Sequence, residues 1–380
     1  MWKVQLFKLN FDSQELNAVK DVLDSGWITM GPKTKEFEEK FSLFLGSNVK
    51  SLAVTNGTAA LHMALLALGI KSDDEVIVPA LTFVADINVV AMVGAKPILA
   101  DCQSIDNWNV SAETIKKVIT NKTKAIIIVH YAGYPCEMDD IINICKEKNI
   151  ILIEDCAHSP GATYKGQQTG TFGDIGCFSF FSNKNLSVGE GGMVTTKNEE
   201  LLKKLSYIRS HGMTSLSFDR LEGRIISYDV VMPGLNYRID EIRSAIGIVQ
   251  LKKLNDSNLR REKLVKRYIE NLSDLSQINL PFVNIPEFVK PSYHIFPILI
   301  DKKFNRIELI NFLKSKGIQT SIHYPSFRSF SYYHKLKLNF CPIAEEISER
   351  ELTLPLYPTM DIEQVDYVCE CLREYFELKK

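Results

Sequence analysis

Lys184 lies in a run of small, aromatic and flexible residues, Cys177-Phe-Ser-Phe-Phe-Ser-Asn-Lys-Asn-Leu-Ser-Val-Gly-Glu-Gly-Gly192. It follows by about thirty positions the carboxylate Asp155, which closes the apolar run Ile150-Ile-Leu-Ile-Glu-Asp. An amine in such a setting can form a Schiff base with an aldehyde cofactor, and a partly buried carboxylate can keep a ring nitrogen of that cofactor protonated. The pairing points to pyridoxal phosphate chemistry, whereas either residue alone would say little. Phe178, Phe180 and Phe181 beside the lysine favour its partial desolvation, which brings the neutral, nucleophilic amine within reach.

Other candidates gain meaning from this company. Val54-Thr-Asn-Gly-Thr-Ala-Ala-Leu reads as strand, tight turn and helix, with Gly57 and Thr58 in the first helical turn. Free N–H groups, the helix dipole and a hydroxyl suit an anion there, although an isolated Asn-Gly-Thr is more often a helix cap with no ligand. Phe83 offers a flat face for a cofactor ring, and by itself would be ordinary core. His158 can donate to a phenolic oxygen and Ser179 can reach a phosphate; taken singly, each is a hydrogen-bonded structural residue. Asp155 alone would cap a helix starting at Ala157. Gly189-Glu-Gly-Gly192 lacks the Lys-Ser or Lys-Thr of a nucleotide phosphate loop and reads as a tight turn.

These groups must be held by a scaffold, and the chain supplies one. Between Ser51 and Val194, short apolar runs such as Glu75-Val-Ile-Val-Pro, Lys96-Pro-Ile-Leu-Ala-Asp and Lys124-Ala-Ile-Ile-Ile-Val-His alternate with helical stretches, Met138 to Lys148 among them. That alternation predicts an α/β fold with a mostly parallel central sheet and helices on both faces. In such a sheet ligands lie beyond the carboxyl ends of the strands, where Asn56, Phe83 and Asp155 all fall. A charged helix from Val249 to Leu272 leads out of a large unit, residues 1–247. A smaller α+β unit, residues 248–380, follows, with strands at His294 to Ile300 and Ile318 to Tyr324 and a helix at Arg306 to Leu313.

Composition narrows the function classes. With 380 residues, 45% of them apolar and 24% charged, the chain is an ordinary folded protein of two or three structural units. A formal charge of -1 with acids and bases interspersed argues against nucleic acid or an anionic membrane as partner. Eight cysteines without a zinc-type spacing are expected as buried thiols, with no metal site. No apolar run reaches the ~20 residues that span a bilayer, and no leader pattern opens the chain, so a cytoplasmic location is expected.

Taken together the segments resemble the DegT/DnrJ/EryC1/StrS family of sugar aminotransferases, enzymes with the aspartate-aminotransferase type (fold type I) of pyridoxal phosphate fold. The resemblance runs almost end to end, through Gly26-Trp-Ile-Thr-Met-Gly-Pro, Asn56-Gly-Thr-Ala-Ala-Leu, Asp74 to Ala85, Glu154-Asp-Cys-Ala-His-Ser, Ser179 to Gly192, Gly234-Leu-Asn-Tyr-Arg-Ile-Asp-Glu-Ile and Leu354-Pro-Leu-Tyr-Pro. It implies pyridoxal 5'-phosphate as cofactor, Lys184 as Schiff-base lysine and acid/base, and Asp155 as partner of the pyridinium nitrogen. It further implies His158, where many relatives have Gln, near the 3-hydroxyl, Phe83 against the ring, and Gly57, Thr58 and Ser179 on the phosphate. Asn236 matches a residue that reaches the phosphate from the second subunit of a homodimer with shared active sites. Trp27, Thr29 and Met30, in a lid-like loop, and His323 and Tyr324, in the smaller unit, are implied to meet the sugar nucleotide. Asn56 replaces a common Ser, and Ser182-Asn183 a common Pro or Thr.

A lysine at 184, where deoxygenating relatives carry histidine, implies amino transfer. The expected reaction moves an amino group from L-glutamate, leaving 2-oxoglutarate, to a nucleotide-linked keto sugar. The stretches Phe218 to Gly223 and Tyr228 to Gly234 resemble members that act on UDP- or dTDP-linked 4-keto-6-deoxy sugars; a 3-keto sugar is the competing acceptor. The rivals from other classes are a pyridoxal-phosphate-binding regulator without turnover and a nucleotide-binding α/β protein without the cofactor.

Overall fold

The computed structural model describes residues 2–46, 48–215 and 227–379. Its core is a seven-stranded sheet of β1 (Lys50–Val54), β2 (Glu75–Pro79), β3 (Lys96–Ala100), β4 (Thr123–Val129), β5 (Ile151–Asp155), β8 (Ile175–Ser179) and β9 (Gly192–Thr196); the short strands β6 (Thr163–Tyr164) and β7 (Gln167–Gln168) form a ribbon beside it. The spatial order is β1-β9-β8-β5-β4-β2-β3. The pairs β3/β2, β2/β4, β4/β5 and β5/β8 are parallel, and β9 alone runs against its neighbours β8 and β1. The continuous Val/Ile runs of β2, β4 and β5 follow from this placement, since strands covered on both faces have no polar side.

Helices Gly57–Ala67 and Val84–Met92 pack on one face, and Met138–Lys148 contributes Met138, Ile141 and Cys145 to the core of the other. Asn56 caps the first, its Oδ1 accepting the Ala59 N–H at 2.8 Å. Asn149 closes the third in the left-handed conformation that Asn tolerates.

Glu241–Leu272 is one helix of 32 residues, capped by Asp240, whose Oδ1 takes the Arg243 N–H at 2.9 Å. Position 247/248 therefore falls inside a helix. Beyond it, Ile278–Asn279 (β10), Phe296–Ile300 (β12) and Glu351–Leu354 (β13) make a small antiparallel sheet, while Val289–Lys290 (β11) joins β6. The N-terminal segment packs with this part: the Lys3 N–H reaches the Gly317 carbonyl at 2.8 Å, and Val4 lies in the core formed by Leu264, Ile298, Leu313 and Phe376.

One expected strand is absent. Ile318 to Tyr324 makes only isolated bridges, Val4 with Ile318 and Ser321 with Thr353. Its apolar residues meet two different segments in turn, so no continuous ladder forms. All eight cysteines are buried thiols, and no described helix is long and apolar enough to cross a membrane.

Candidate active site

The carboxyl ends of β1, β2, β4, β5 and β8 open on one cavity of about 450 Å³. Asn56, Gly57 and Thr58 enter after β1, Thr82 and Phe83 after β2, Val129 ends β4, Asp155 ends β5, Ser179 ends β8, and Lys184 follows on the next turn. His158, His323 and Tyr324 complete the wall.

Gly57 explains how two of these elements meet. A Cβ built on it would lie 2.8 Å from the Ser179 Cβ, so the first helical turn and the end of β8 touch only because residue 57 has no side chain. Gly192 does the same on the adjoining strand, where a Cβ would stand 2.6 Å from the Asn56 carbonyl. The result brings the Gly57 and Thr58 N–H groups at the positive end of a helix beside the hydroxyl-bearing Ser179, a cradle for a phosphate.

The strand leading to Lys184 is packed on aromatics. Phe178 and Phe180 are fully buried, and Phe41 packs against them at 5.0 and 5.6 Å between ring centroids. Burial pulls the Lys184 ammonium down to about 8, against the opposing pull of the Asp155 charge. Asp155 is buried; its Oδ1 accepts the Ala157 N–H at 2.8 Å, capping a turn rather than a helix. Burial raises its carboxyl above the ordinary range, while the Ala157 N–H, Lys184 and His130 favour the anion. Behind it Glu154 is satisfied by the N–H groups of Gly170, Phe172 and Gly173 and by His130 Nε2 at 3.1 Å, which anchors this end of β5.

His158 is uncharged, burial holding it well below its usual value. Its Nδ1 accepts the Ala132 N–H at 3.2 Å, so Nε2 carries the proton and donates to the Tyr324 oxygen at 2.9 Å. The donor expected to face a phenolic oxygen is therefore spent on Tyr324, whose own O–H is freed for a neighbour. Phe83 stands at the cavity rim, 54% exposed, with its ring 5.8 Å from that of Tyr324. His323 Nδ1 meets Thr353 Oγ1 at 2.8 Å, and the Thr353 hydroxyl donates to Glu351; burial takes His323 down to about 3.

Not every expected residue lines this cavity. Asn236 is exposed on a segment bridged to Ser210, Met30 is buried, Trp27 is half-buried and Thr29 exposed, all four outside the cavity wall. Conversely Leu61, Thr82, Val129, Phe181, Asn183 and Glu190 line it without having been assigned a part in binding. Phe181 and Asn183 were within reach of the sequence, being neighbours of Lys184.

The family profile of the DegT/DnrJ/EryC1/StrS aminotransferases matches residues 10–373. The chain belongs to that family. Among its relatives are protein MJ1066 of Methanocaldococcus jannaschii, 42% identical over 371 residues and 95% of each chain, and the GDP-perosamine synthase of Escherichia coli O157:H7, 38% identical over 379 residues and 99% of each. Among solved structures, Helicobacter pylori PseC, an aminotransferase involved in the biosynthesis of pseudoaminic acid, superposes with a TM-score of 0.92 at 29% identity, covering 98% of this chain and 99% of that one. As a member of the DegT/DnrJ/EryC1/StrS family the protein is a pyridoxal-phosphate-dependent sugar aminotransferase of fold type I. The cavity fits that cofactor: it has a lysine of lowered basicity, a buried carboxylate, and a helix N-terminus that a glycine keeps open beside Ser179.

Proposed function

We propose that the enzyme transfers the amino group of L-glutamate to a nucleotide-linked keto sugar, releasing 2-oxoglutarate and an amino sugar nucleotide for surface glycan or secondary-metabolite synthesis. The observation that carries this reading is the convergence of Lys184, Asp155 and the Gly57/Ser179 cradle on one cavity, in a chain matched over 99% of its length by a GDP-perosamine synthase.

Pyridoxal phosphate, when bound, supplies an aldehyde and a ring that accepts the electron pair released when the donor's α-proton leaves. Lys184 holds and moves that proton, as its lowered basicity suits. Asp155 holds the ring nitrogen in its protonated state, and the Gly57 and Thr58 N–H groups with the Thr58 and Ser179 hydroxyls hold the phosphate. Phe83, at the cavity rim, would offer its flat face to the ring. Tyr324, braced by His158, offers its O–H to the cofactor's phenolic oxygen or to the incoming sugar, and His323 lines the sugar side.

The favoured acceptor is a 4-keto-6-deoxy sugar, with a 3-keto sugar as the second reading. The segment Phe218 to Gly223 that bears on this choice lies outside the described residues. UDP and dTDP are the nucleotides suggested by sequence, and the likeness to GDP-perosamine synthase adds GDP. We further propose a homodimer in which Asn236 and the loop of Trp27, Thr29 and Met30 serve the partner's cavity. Asn236 is exposed, and nearby Tyr228, Val230 and Val231 present apolar surface at 53%, 55% and 50% exposure, as an interface would need.

The test is to incubate the enzyme with cofactor, glutamate and UDP-, dTDP- and GDP-linked 3- and 4-keto sugars, and to identify products by mass and NMR. Amino sugar nucleotide with stoichiometric 2-oxoglutarate is expected. A protein that binds the cofactor yet leaves glutamate unconverted is a binder, and the proposal fails.

A further inference from the structure

Asp86 lies in the first turn of helix Val84–Met92, directly behind the cavity wall formed by Thr82, Phe83 and Ala85. It is completely buried. Its Oδ2 accepts the Thr82 hydroxyl at 2.6 Å, and its Oδ1 is buried without a hydrogen-bond partner. The group it faces is the Asp155 carboxyl, close enough for each to shift the other's ionisation. Two carboxylates in contact inside a protein do not both ionise.

The surroundings decide which keeps the proton. Asp155 has the Ala157 N–H on Oδ1 and the attraction of Lys184 and His130, all of which favour its anion. Asp86 has one hydroxyl and no cation; burial, then the charge of Asp155, pushes its carboxyl well above the ordinary range. The helix dipole favours an anion in a first turn, but complete burial beside a second carboxylate outweighs it. The other titratable groups around the pair are Tyr324, Cys156 and Cys177, whose acidities burial lowers, so none supplies a competing cation.

We propose that Asp86 is a positioning residue: as an uncharged carboxylic acid it donates from Oδ1 to Asp155 and fixes the orientation of the carboxylate that receives the cofactor ring. This rests on the assignment of Asp155 as ring partner. The arrangement gives Asp155 one donor from each side, leaving it the ring as its remaining ligand, and it keeps Asp155 anionic in a buried site.

The experiment compares Asp86→Asn, which keeps an N–H donor without a titrating proton, with Asp86→Ala, which removes the donor. In the apoprotein near neutral pH, the infrared band of a protonated buried carboxyl is expected to be lost in D86N. With pyridoxal phosphate added, D86N should bind with an affinity close to the parent's. D86A should bind about tenfold more weakly, with the acid limb of the binding-pH profile moved up by about one unit. An unchanged infrared difference spectrum for D86N would overturn the proposal, as would a D86A profile with the parent midpoint. If D86A does not fold, the D86N infrared and binding results still decide. Asp155→Asn tests the parent assignment separately: unaltered cofactor binding there defeats the role of Asp155, while the apoprotein spectrum still reports the charge of Asp86.

Discussion

Gly57 and Ser179 come from strands that are not neighbours in the sheet, yet a single methyl group on Gly57 would stand 2.8 Å from the Ser179 Cβ and 3.3 Å from its Cα. The contact sets the width of the anion cradle. In Gly57→Ala the backbone is not the obstacle, because residue 57 is helical and carries no positive φ. The added carbon must push the helix terminus away from Ser179, a small overpacking that costs about 1–3 kcal/mol. Misplacing one charge-assisted phosphate contact should weaken pyridoxal phosphate binding by roughly 10- to 100-fold. Fluorescence titration with the cofactor, alongside circular dichroism, measures both; parental affinity in a folded variant would show that the cradle is elsewhere.

Lys184 carries a second expectation, about pH. A solvated lysine amine is largely protonated until pH passes ~10, and its reaction with an aldehyde is correspondingly slow at neutrality. With burial holding Lys184 at about 8, the rate at which apoprotein captures pyridoxal phosphate should rise with pH to a midpoint near that value. Stopped-flow absorbance follows the rate, and borohydride followed by peptide mass spectrometry locates the attachment. Lys184→Ala should lose turnover and the labelled peptide together. Label on another lysine, or a midpoint near 10, would remove Lys184 from its role.

Much of this was legible in the chain, for a physical reason. Asp155 and Ser179 end apolar strand runs, Gly57, Phe83 and Lys184 lie within a few residues of such an end, and parallel strands put their carboxyl ends on one edge. Local pattern thus carries both the strand and the place of the residue after it. What the sequence conceals is contact between distant segments. His158 and Tyr324 are hydrogen-bonded across 166 positions, and Glu351 fixes a backbone 28 positions away, with no periodicity to announce either. Asp86 reads as a first-turn acid stabilising its helix, and only the approach of β5 makes it a neighbour of Asp155. For the same reason the Ile318 to Tyr324 run, strand-like in composition, is divided between two partners, and the long helix begins at Glu241 rather than at the charged stretch that signalled it.

Tyr324→Phe isolates the hydrogen bond that braces His158 against the distant segment of Tyr324. Removing the phenol oxygen leaves the His158 Nε2–H buried without its acceptor, which costs about 1–3 kcal/mol. Chemical denaturation should show that loss. Amino transfer should fall in kcat more than in KM if the freed Tyr324 O–H serves the reacting centre, and stay at the parent rate if the bond is structural only. Repeating the measurement in His158→Gln, which keeps a side-chain donor, separates the two: stability is retained and the rate follows Tyr324.

Glu351 ties the His323 segment to the small sheet, and its titration gives a signed stability prediction. Its oxygens accept the His323 N–H at 2.7 Å and the Thr353 hydroxyl at 2.5 Å, inside a fully buried site. Burial raises its carboxyl from the ordinary 4.5 to about 7, against those two donors and Arg306. Between the two values the folded protein binds the proton more tightly than the unfolded chain, so stability is highest below pH 4.5 for this group and falls as pH rises toward 7. The loss across that window is on the order of 3 kcal/mol, taking about 1.4 kcal/mol per unit of pKa. Glu351→Gln has no proton to lose, so its stability relative to the parent should improve from pH 5 to about pH 7 and level off above it. Urea melts at several pH values give the difference directly. A difference that stays constant with pH would mean that Glu351 is ionised throughout, and a variant that loses ground to the parent as pH rises would reverse the sign argued from its burial.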